Sequence, residues 1–425
     1  MAKVLIKPVK GMRDFYPEGW AFQKWLSHKW LELGSLFGYQ EYEGPIVEQM
    51  DLYLEKTSEE IVSQQTFSLL DRDGNKLVLR PELTPTFARM VAQKENELTP
   101  PIRWQSYGPF FRYEKPQRGR GRSFFQWNID CIGSESILTD AEILTIACLS
   151  LKKLGIAPSE ATIKINDRAA MQEYVCTRFN IPEELVTPLF RAVDRIDKLP
   201  EDVFIESLKN IGLDQSQIAG LMSFLEEKDP SFSPWLKELF SILAMNGVAE
   251  YCELDLKIIR GFDYYTRTVF EAWAKTSLRR ALFGGGRYDN LTQQVGGKKR
   301  LPGIGFAIGD MAVYELLLEL NKLPVLSLTQ TKALVTIFSP ELRNESLKLA
   351  GELRNQGIAA EIYPDENKGL DKQIKYADQK GIPNVVIIGP DEAKNSQCVL
   401  KNLKEHAQVS LGYGELAEKL KKCEV

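Results

Sequence analysis

With 425 residues the chain has room for two or three domains, and its 44% hydrophobic and 26% charged residues match an ordinary soluble globular protein. The net charge of −4, from 54 Lys+Arg against 58 Asp+Glu, averages over local patches and does not exclude a polyanionic partner. The only two histidines, His28 in a helical pattern and His406 in a polar turn, read as incidental, which excludes a His–Ser–Asp triad, a two-histidine metal helix and a histidine proton shuttle.

In chain order, Pro17 and Glu18 open an amphipathic helix in which Phe22, Trp25, Leu26, Trp30 and Leu33 recur at helical spacing, and Gly38 ends it. A strand carrying Pro45 is predicted over 39–47, then a hairpin over 66–80 with its turn at Asp73-Gly74, then a short helix after Pro85. Strand candidates 103–112 and 123–132 flank a loop rich in arginine and glycine, and such short connections favour antiparallel pairing. Residues 139–153 read as a helix. From about 167 to 250 strand signals vanish and helices with polar breaks take over, such as 185–193 and 235–245. Strands resume at 268–274, 279–284 and 301–308. The pattern predicts one antiparallel sheet interrupted by a helical insertion. Beyond a polar linker at 320–332, a strand at 333–338, a helix at 341–355 capped by Gly357, a strand at 358–363, a helix at 369–380 and a strand at 384–389 predict a separate small α/β domain.

Six cysteines, at 131, 148, 176, 252, 398 and 423, form no C-x-x-C pair and no metal-ligand spacing, as expected of buried thiols in a reducing compartment. No apolar run approaches the roughly 18 residues of a membrane span, and residues 1–7 lack a signal-peptide pattern. A cytoplasmic protein with no membrane partner is therefore expected.

The most informative stretch is 112–122, where Arg112, Lys115, Arg118, Arg120 and Arg122 accompany the single carboxylate of Glu114. The planar guanidinium fork suits bidentate recognition of phosphate or carboxylate, although a solvated basic loop has the same composition. In the strand that follows, period two puts Gln126, Asn128 and Asp130 on one face, as a polar floor, and Phe125, Trp127 and Ile129 on the other. Arg80-Pro81-Glu82-Leu83-Thr84-Pro85 sets a carboxylate and a hydroxyl on one side, suited to an ammonium group; Thr84 as a helix N-cap is the alternative. Arg260, Tyr264 and Tyr265 form a second cluster, which is either core packing or a polar recognition site. Phe283-Gly284-Gly285-Gly286-Arg287-Tyr288 lacks the Lys-Ser/Thr of a P-loop and reads mainly as close backbone packing. Gly303, Gly305, Ala307 and Gly309 keep one strand face small, as a floor beneath a planar ring would require.

Taken together these segments resemble the class II aminoacyl-tRNA synthetases, and among them the histidyl-tRNA synthetase family. The resemblance runs nearly the length of the chain. Lys10-Gly11-Met12-Arg13-Asp14 resembles the amino-terminal signature, and residues 38–45 resemble motif 1 with its dimer-interface proline. Phe111-Arg112-Tyr113-Glu114 resembles motif 2. Arg260-Gly261-Phe262-Asp263-Tyr264-Tyr265 resembles the histidine signature, with Gly284-Gly285-Gly286-Arg287-Tyr288 after it. The resemblance implies an α+β fold, with an antiparallel sheet flanked by helices, a helical insertion and a C-terminal α/β anticodon-binding domain. The implied division is a catalytic core at 1–166 and 251–320, an insertion at 167–250 and the anticodon-binding domain at 333–425.

The resemblance also implies the roles. Arg112 and Arg260 are the catalytic residues, gripping the α-phosphate of ATP from opposite sides. Glu82, Leu83, Thr84, Arg112, Gln126, Asp130, Arg260, Tyr264 and Tyr265 bind histidine, and the family more often has Glu at the Asp130 position. Arg112, Glu114, Arg120 and Arg287 bind ATP, which Mg²⁺ accompanies, with no metal site of the protein's own. Gln117 and Arg118 approach the tRNA acceptor end. The implied partners are L-histidine, ATP, histidine tRNA and a second copy of the chain.

One departure stands out. Motif 3 usually ends in an arginine that contacts the γ-phosphate, whereas here Gly309-Asp310-Met311 leads to Ala312. A subset of the family carries a similar Gly-Asp ending, so loss of activity is not implied, and Arg118, Arg122 and Arg287 are candidates for holding the triphosphate. The main alternative is a non-catalytic paralogue resembling the regulatory subunit of ATP phosphoribosyltransferase. Leu83-Thr84-Pro85 and Ala312 favour it; Arg260, the arginine loop and the carboxy-terminal domain argue against it. A binding scaffold that keeps the fold without adenylation is a third reading.

Overall fold

The computed structural model describes residues 5–54, 65–259, 264–278 and 280–422. Backbone contacts divide the chain into two units, Met1–Asp14 with Gln23–Leu323, and Phe15–Phe22 with Pro324–Val425.

Helix α1 (Pro17–Leu36) starts at a proline, whose missing N–H costs nothing in the first turn. Its later turns bury Leu26, Trp30 and Leu33, with Trp30 stacked on Trp127 at 6.0 Å between centroids. Strands β1 (Gln40–Glu41) and β2 (Val47–Gln49) replace the single run predicted over 39–47, because Pro45 between them has no N–H to give a ladder. With β3 (Phe67–Leu70) and β4 (Lys76–Leu79), β2 forms a small antiparallel sheet in the order β2-β4-β3. Its hairpin turn is fastened by Asp71, which accepts from the backbone N–H of Asp73 and Asn75.

Helix α2 (Thr84–Gln93) leads to β5 (Ile102–Phe111) and β6 (Ser123–Ile132), paired antiparallel along their full lengths, and then to α3 (Ile137–Lys153). β7 (Ala161–Asp167), an unpredicted strand, follows. Five helices come next: α4 (Arg168–Arg178), α5 (Glu183–Val193), α6 (Glu201–Ile211), α7 (Gln215–Leu225) and α8 (Pro234–Met245). They bury Val175, Leu189, Phe204, Leu208, Leu221 and Leu239 together with neighbouring apolar residues. Asp214 and Gln217 form a reciprocal capping box at the start of α7.

The chain returns through β8 (Cys252–Leu254), β9 (Thr268–Ala274), β10 (Ala281–Tyr288), a single turn α9 (Leu291–Gln294), β11 (Gly303–Gly309) and α10 (Asp310–Glu319). The large sheet has eight strands in the order β1-β5-β6-β11-β10-β9-β7-β8. It is antiparallel except at its two edges, where β1 pairs with β5 and β8 with β7 in parallel. β11, the last strand of the unit, slots between β6 and β10, so three distant stretches of sequence meet at the sheet centre.

The other unit has β12 (Ala333–Val335), α11 (Arg343–Asn355), β13 (Ala360–Ile362), α12 (Leu370–Gln379), β14 (Asn384–Ile387), α13 (Pro390–Lys394), β15 (Gln397–Asn402), β16 (Ala407–Gly412) and α14 (Tyr413–Lys422). Its sheet runs β13-β12-β14-β15-β16, parallel in the first three strands and antiparallel thereafter. Val335, Leu349, Leu353, Val386, Leu416 and Leu420 pack one core, and Leu334, Ala377, Ile382 and Val385 pack another. No helix among the described residues is long and apolar enough to cross a membrane.

Candidate active site

The register of β6, β11 and β10 builds the floor of a cavity. Gln126 faces Gly309, Asn128 faces Ala307 with Gly284 beyond it, and Asp130 faces Gly305 with Gly286 beyond it. Each polar residue of β6 therefore stands beside a small one on β11, and space is left above the sheet. A Cβ on Gly305 would come 2.0 Å from Asp130 Oδ1, and one on Gly286 2.8 Å from the Tyr265 ring. These glycines admit the side chains beside them.

Glu82 and Thr84 line one wall, from the turn between β4 and α2, and Arg112, Glu114 and Arg120 continue it from the loop after β5. Tyr264 and Tyr265 line the cavity beside Glu82, and Arg280, Met311 and Ala312 lie together at one end, around Gly119 and Gly121. Tyr264 donates to Glu82 Oε2 at 2.9 Å, which fixes a carboxylate against the tyrosine cluster. Gln126 Oε1 and Asn128 Nδ2 are buried without hydrogen-bond partners, one acceptor and one donor in the cavity floor. Arg112 is aimed by its Nε, which donates to the Pro81 carbonyl at 2.9 Å, and its guanidinium lies 5.5 Å over the Phe124 ring. Glu114 stands between two arginines: Arg120 Nη1 is 3.1 Å from its Oε2 and Arg112 Nη1 is 4.0 Å from its Oε1. With one carboxylate shared by two cations, the stretch from Arg112 to Arg120 keeps an excess of positive charge.

The amino-terminal signature braces the same loop. Gly11 accepts at its carbonyl from the Arg122 N–H at 2.7 Å, and Arg13 Nη2 donates to Asp310 Oδ2 at 2.7 Å.

Several expectations change in three dimensions. Arg287 does not line the cavity. It sits at an odd position of β10, so period two turns it to the opposite face from Gly284 and Gly286, where it pairs with Asp140 of α3 at 2% exposure. Leu83 is fully buried and packs in the core, and only its neighbours Glu82 and Thr84 reach the cavity. Thr84 is the first residue of α2 and makes no capping bond; Leu83 takes the cap position. Asp130 is buried at 2% exposure behind Tyr288, whose hydroxyl donates to its Oδ1 at 2.6 Å. An aspartate is one methylene shorter than glutamate, so Tyr288, which does line the cavity, stands in front of it. Burial, reinforced by the nearby Glu82 charge and opposed by the Tyr288 bond, pushes the Asp130 carboxyl up to about 7. Gln117 and Arg118 are exposed, and Arg118 is held by Glu315 at 2.8 Å and Glu319 at 3.0 Å. Arg260 lies outside the described residues. Asn128, placed in the polar floor by the sequence pattern but given no ligand, does line the cavity, and Arg280, hidden in a strand prediction, was passed over.

The sequence profile of histidyl-tRNA synthetase matches residues 11–313, and that of an anticodon-binding domain matches residues 332–423. The chain belongs to the histidyl-tRNA synthetase family. It is 33% identical over 431 residues to a histidine–tRNA ligase of Leptospira biflexa, an alignment covering 99% of this chain and 98% of that one. With the chloroplastic/mitochondrial histidine–tRNA ligase of Arabidopsis thaliana the identity is 32% over 425 residues, covering 97% and 86%. The crystal structure of histidyl-tRNA synthetase from Nostoc sp. PCC 7120 has the same fold, with a TM-score of 0.81, 24% identity and coverage of 99% and 100%.

Within this histidyl-tRNA synthetase fold the unusual end of motif 3 has a structural use. Asp310 is buried and accepts from Arg13, from Gln23 Nε2 at 2.7 Å and from the backbone N–H of Phe125 at 2.9 Å. It ties the amino-terminal segment and β6 to the start of α10, and Ala312 is left lining the cavity.

Proposed function

We infer that the chain is a histidine–tRNA ligase. The observation that carries this reading is one cavity holding the Glu82–Tyr264 pair and the unpartnered Gln126 Oε1 beside the Arg112–Glu114–Arg120 wall. An amino-acid ammonium group suits the first set, and a carboxylate meeting a polyphosphate suits the second. The histidine carboxylate attacks the α-phosphorus of ATP, pyrophosphate leaves, and histidyl-adenylate forms. A ribose hydroxyl of the terminal adenosine of the tRNA then attacks the adenylate carbonyl, and AMP leaves. Both steps build negative charge on phosphoryl or acyl oxygens, which fixed guanidiniums in a water-poor site stabilise.

Arg112 contacts the α-phosphate and the histidine carboxylate, and Arg120 the outer phosphates. Glu114 receives the adenine amine. Glu82, Thr84 and Gln126 hold the ammonium group, and Tyr264 and Tyr265 enclose the ring. Arg260 takes the far side of the α-phosphate on the strength of the family resemblance. Mg²⁺ arrives with the phosphates of ATP; among the described residues Glu82 and Glu114 are the carboxylates that line the cavity, and with both assigned to other groups the phosphates themselves supply its oxygen ligands. The motif 2 loop with Gln117 and Arg118 meets the tRNA acceptor end. Residues 1–166 and 251–320 form the catalytic core, 167–250 an insertion, and 333–425 bind the anticodon region. A cytoplasmic homodimer is part of this reading. Exposed Leu36, Ile46 and Val47 border the motif 1 segment and support the dimer. The regulatory-subunit alternative is not favoured, since the anticodon-binding match and the arginine wall both suit a ligase. Incubation with ATP, histidine and histidine tRNA tests the second step; histidyl-tRNA is expected, and its absence despite adenylate formation would contradict the transfer role.

Asp130 acts on the ring through Tyr288. Ionised, it draws the tyrosine proton and leaves the phenolic oxygen a better acceptor; protonated, it does not. The KM for histidine is therefore expected to fall as pH rises through about 7. Histidine's own imidazole titrates at about 6.5, so Asp130→Asn, neutral at every pH, is the comparator and should lose the step assigned to Asp130. The same raised pKa makes this residue's contribution to folding largest at low pH, below its unfolded value, and lost as pH rises through about 7. Identical pH profiles in the two proteins would remove Asp130 from ring recognition.

A further inference from the structure

Ala312 leaves one end of the cavity without the cation that motif 3 usually provides. We propose that Arg280 supplies it, binding the terminal phosphates of ATP from the residue just before β10, in place of an arginine at 312. The inference rests on the ligase reading and concerns only where the triphosphate is held.

Position is the first argument. Gly119 sits in the motif 2 loop with φ +68°, and a Cβ built on it would lie 3.3 Å from Arg280 Nη1 and 3.5 Å from the Ala312 Cα. The guanidinium of Arg280 and the backbone of residue 312 thus converge on one point, beside the loop that carries Arg120. A long side chain at 312 would compete for that space; alanine vacates it. Arg280, Ala312, Gly119 and Arg120 all line the same cavity.

Availability is the second. Arg280 makes no carboxylate ion pair among the described residues. Its Nη1 donates to the Arg118 carbonyl at 3.1 Å, and its Nε is buried without a partner. The other candidates are engaged elsewhere. Arg118 is taken by Glu315 and Glu319, and Arg122 lies 3.8 Å over the Tyr113 ring and donates to the Glu114 carbonyl. Arg287 is buried against Asp140 on the far face of the sheet.

Burial and the neighbouring Arg120 charge push Arg280 down to about 10, so it remains a cation at neutral pH while being repelled by its neighbour. Arg120 and Arg280, two neighbouring guanidiniums with the single carboxylate of Glu114 beside them, are pre-organised for a polyanion, which supplies the counter-charge they lack. The charge they meet is that of the β- and γ-phosphates, which depart as pyrophosphate.

The test compares full-length wild type with Arg280→Ala and with Arg280→Ala carrying Ala312→Arg, by calorimetric titration with ATP and with AMP. Loss of a charge-assisted phosphate contact should weaken ATP by about tenfold or more, with AMP unchanged within about twofold. Returning an arginine at 312 should recover most of the ATP affinity. Arg280→Ala binding ATP like wild type, or weakening ATP and AMP equally, would overturn the proposal. So would a folded double variant that binds ATP no better than Arg280→Ala. The ligase reading is judged separately, on histidine-dependent exchange by the wild type, and this inference on the ATP-to-AMP affinity ratio of the variants.

Discussion

Arg112→Ala is expected to reduce histidine-dependent adenylate formation by about a thousandfold while leaving the thermal midpoint of unfolding near that of wild type. The side chain leaves the chain just after β5, is oriented by the bond from Nε to the Pro81 carbonyl, and lies over Phe124 with Nη1 4.0 Å from Glu114 Oε1. It is partly exposed, and no large apolar side chain of the core is lost with it. It does stand where negative charge develops as the carboxylate attacks the α-phosphorus. A donor of that kind contributes about a hundredfold to a thousandfold in rate, and Arg112 would serve both the phosphate and the carboxylate, which favours the upper figure. Arg112→Lys keeps the charge and loses the planar fork, so it should recover only part of the rate. A loss of less than about tenfold in Arg112→Ala would remove the residue from the chemistry.

Asp140→Ala is expected to have the opposite signature, a loss of about 3–5 kcal/mol in stability with no specific loss of ATP affinity in whatever protein remains folded. Asp140 is fully buried and pairs with Arg287, which is 2% exposed. Arg287 Nε donates to both carboxylate oxygens, at 3.2 and 3.0 Å, and Nη1 donates to the Ser134 carbonyl at 2.9 Å. Removing the carboxylate leaves a buried guanidinium whose remaining counter-charge is Asp289, 3.3 Å from Nη1 and partly exposed, whereas replacing both partners by apolar residues of similar size removes the buried charge itself. Asp140→Leu combined with Arg287→Met should therefore be more stable than Asp140→Ala alone. The measurement is denaturant unfolding of the full chain, followed by ATP titration at low denaturant. If Asp140→Ala unfolded like wild type while Arg287→Ala lost ATP affinity, Arg287 would return to the nucleotide site.

The contrast between Arg112 and Arg287 shows what could be read from the sequence and what could not. Arginines mark a phosphate site by type, but their face is set by strand parity, and parity was available: Gly284 and Gly286 share one face and Arg287 has the other. The β5–β6 hairpin was legible because β6 alternates regularly and residues 112–122, rich in glycine and arginine, leave no room for a crossover helix. β7 carries a period-two signal as well, Ile163 and Ile165 against Thr162, Lys164 and Asn166, but it is a single short run between two helices, and its polar residues find partners only in three dimensions. Lys164 pairs with Asp255 at 2.7 Å, and Asn166 Nδ2 donates to the Leu256 and Ile258 carbonyls. β15 and β16 went unpredicted for a similar reason: Gln397, Lys401 and Gln408 make their polar edges resemble a linker. Asp130 was assigned to the right face of β6, yet its reach was not legible, since Tyr288 comes from another strand to stand before it. Arg280 carried no motif at all; only the fold brings it to the gap left at Ala312.

The most direct test of the account is ATP–pyrophosphate exchange by the full-length protein with each amino acid offered in turn. Exchange that appears with L-histidine, and at most weakly with the others, is the predicted result. Folded protein that binds ATP yet shows no exchange with histidine, or exchanges equally well with another amino acid, would contradict it.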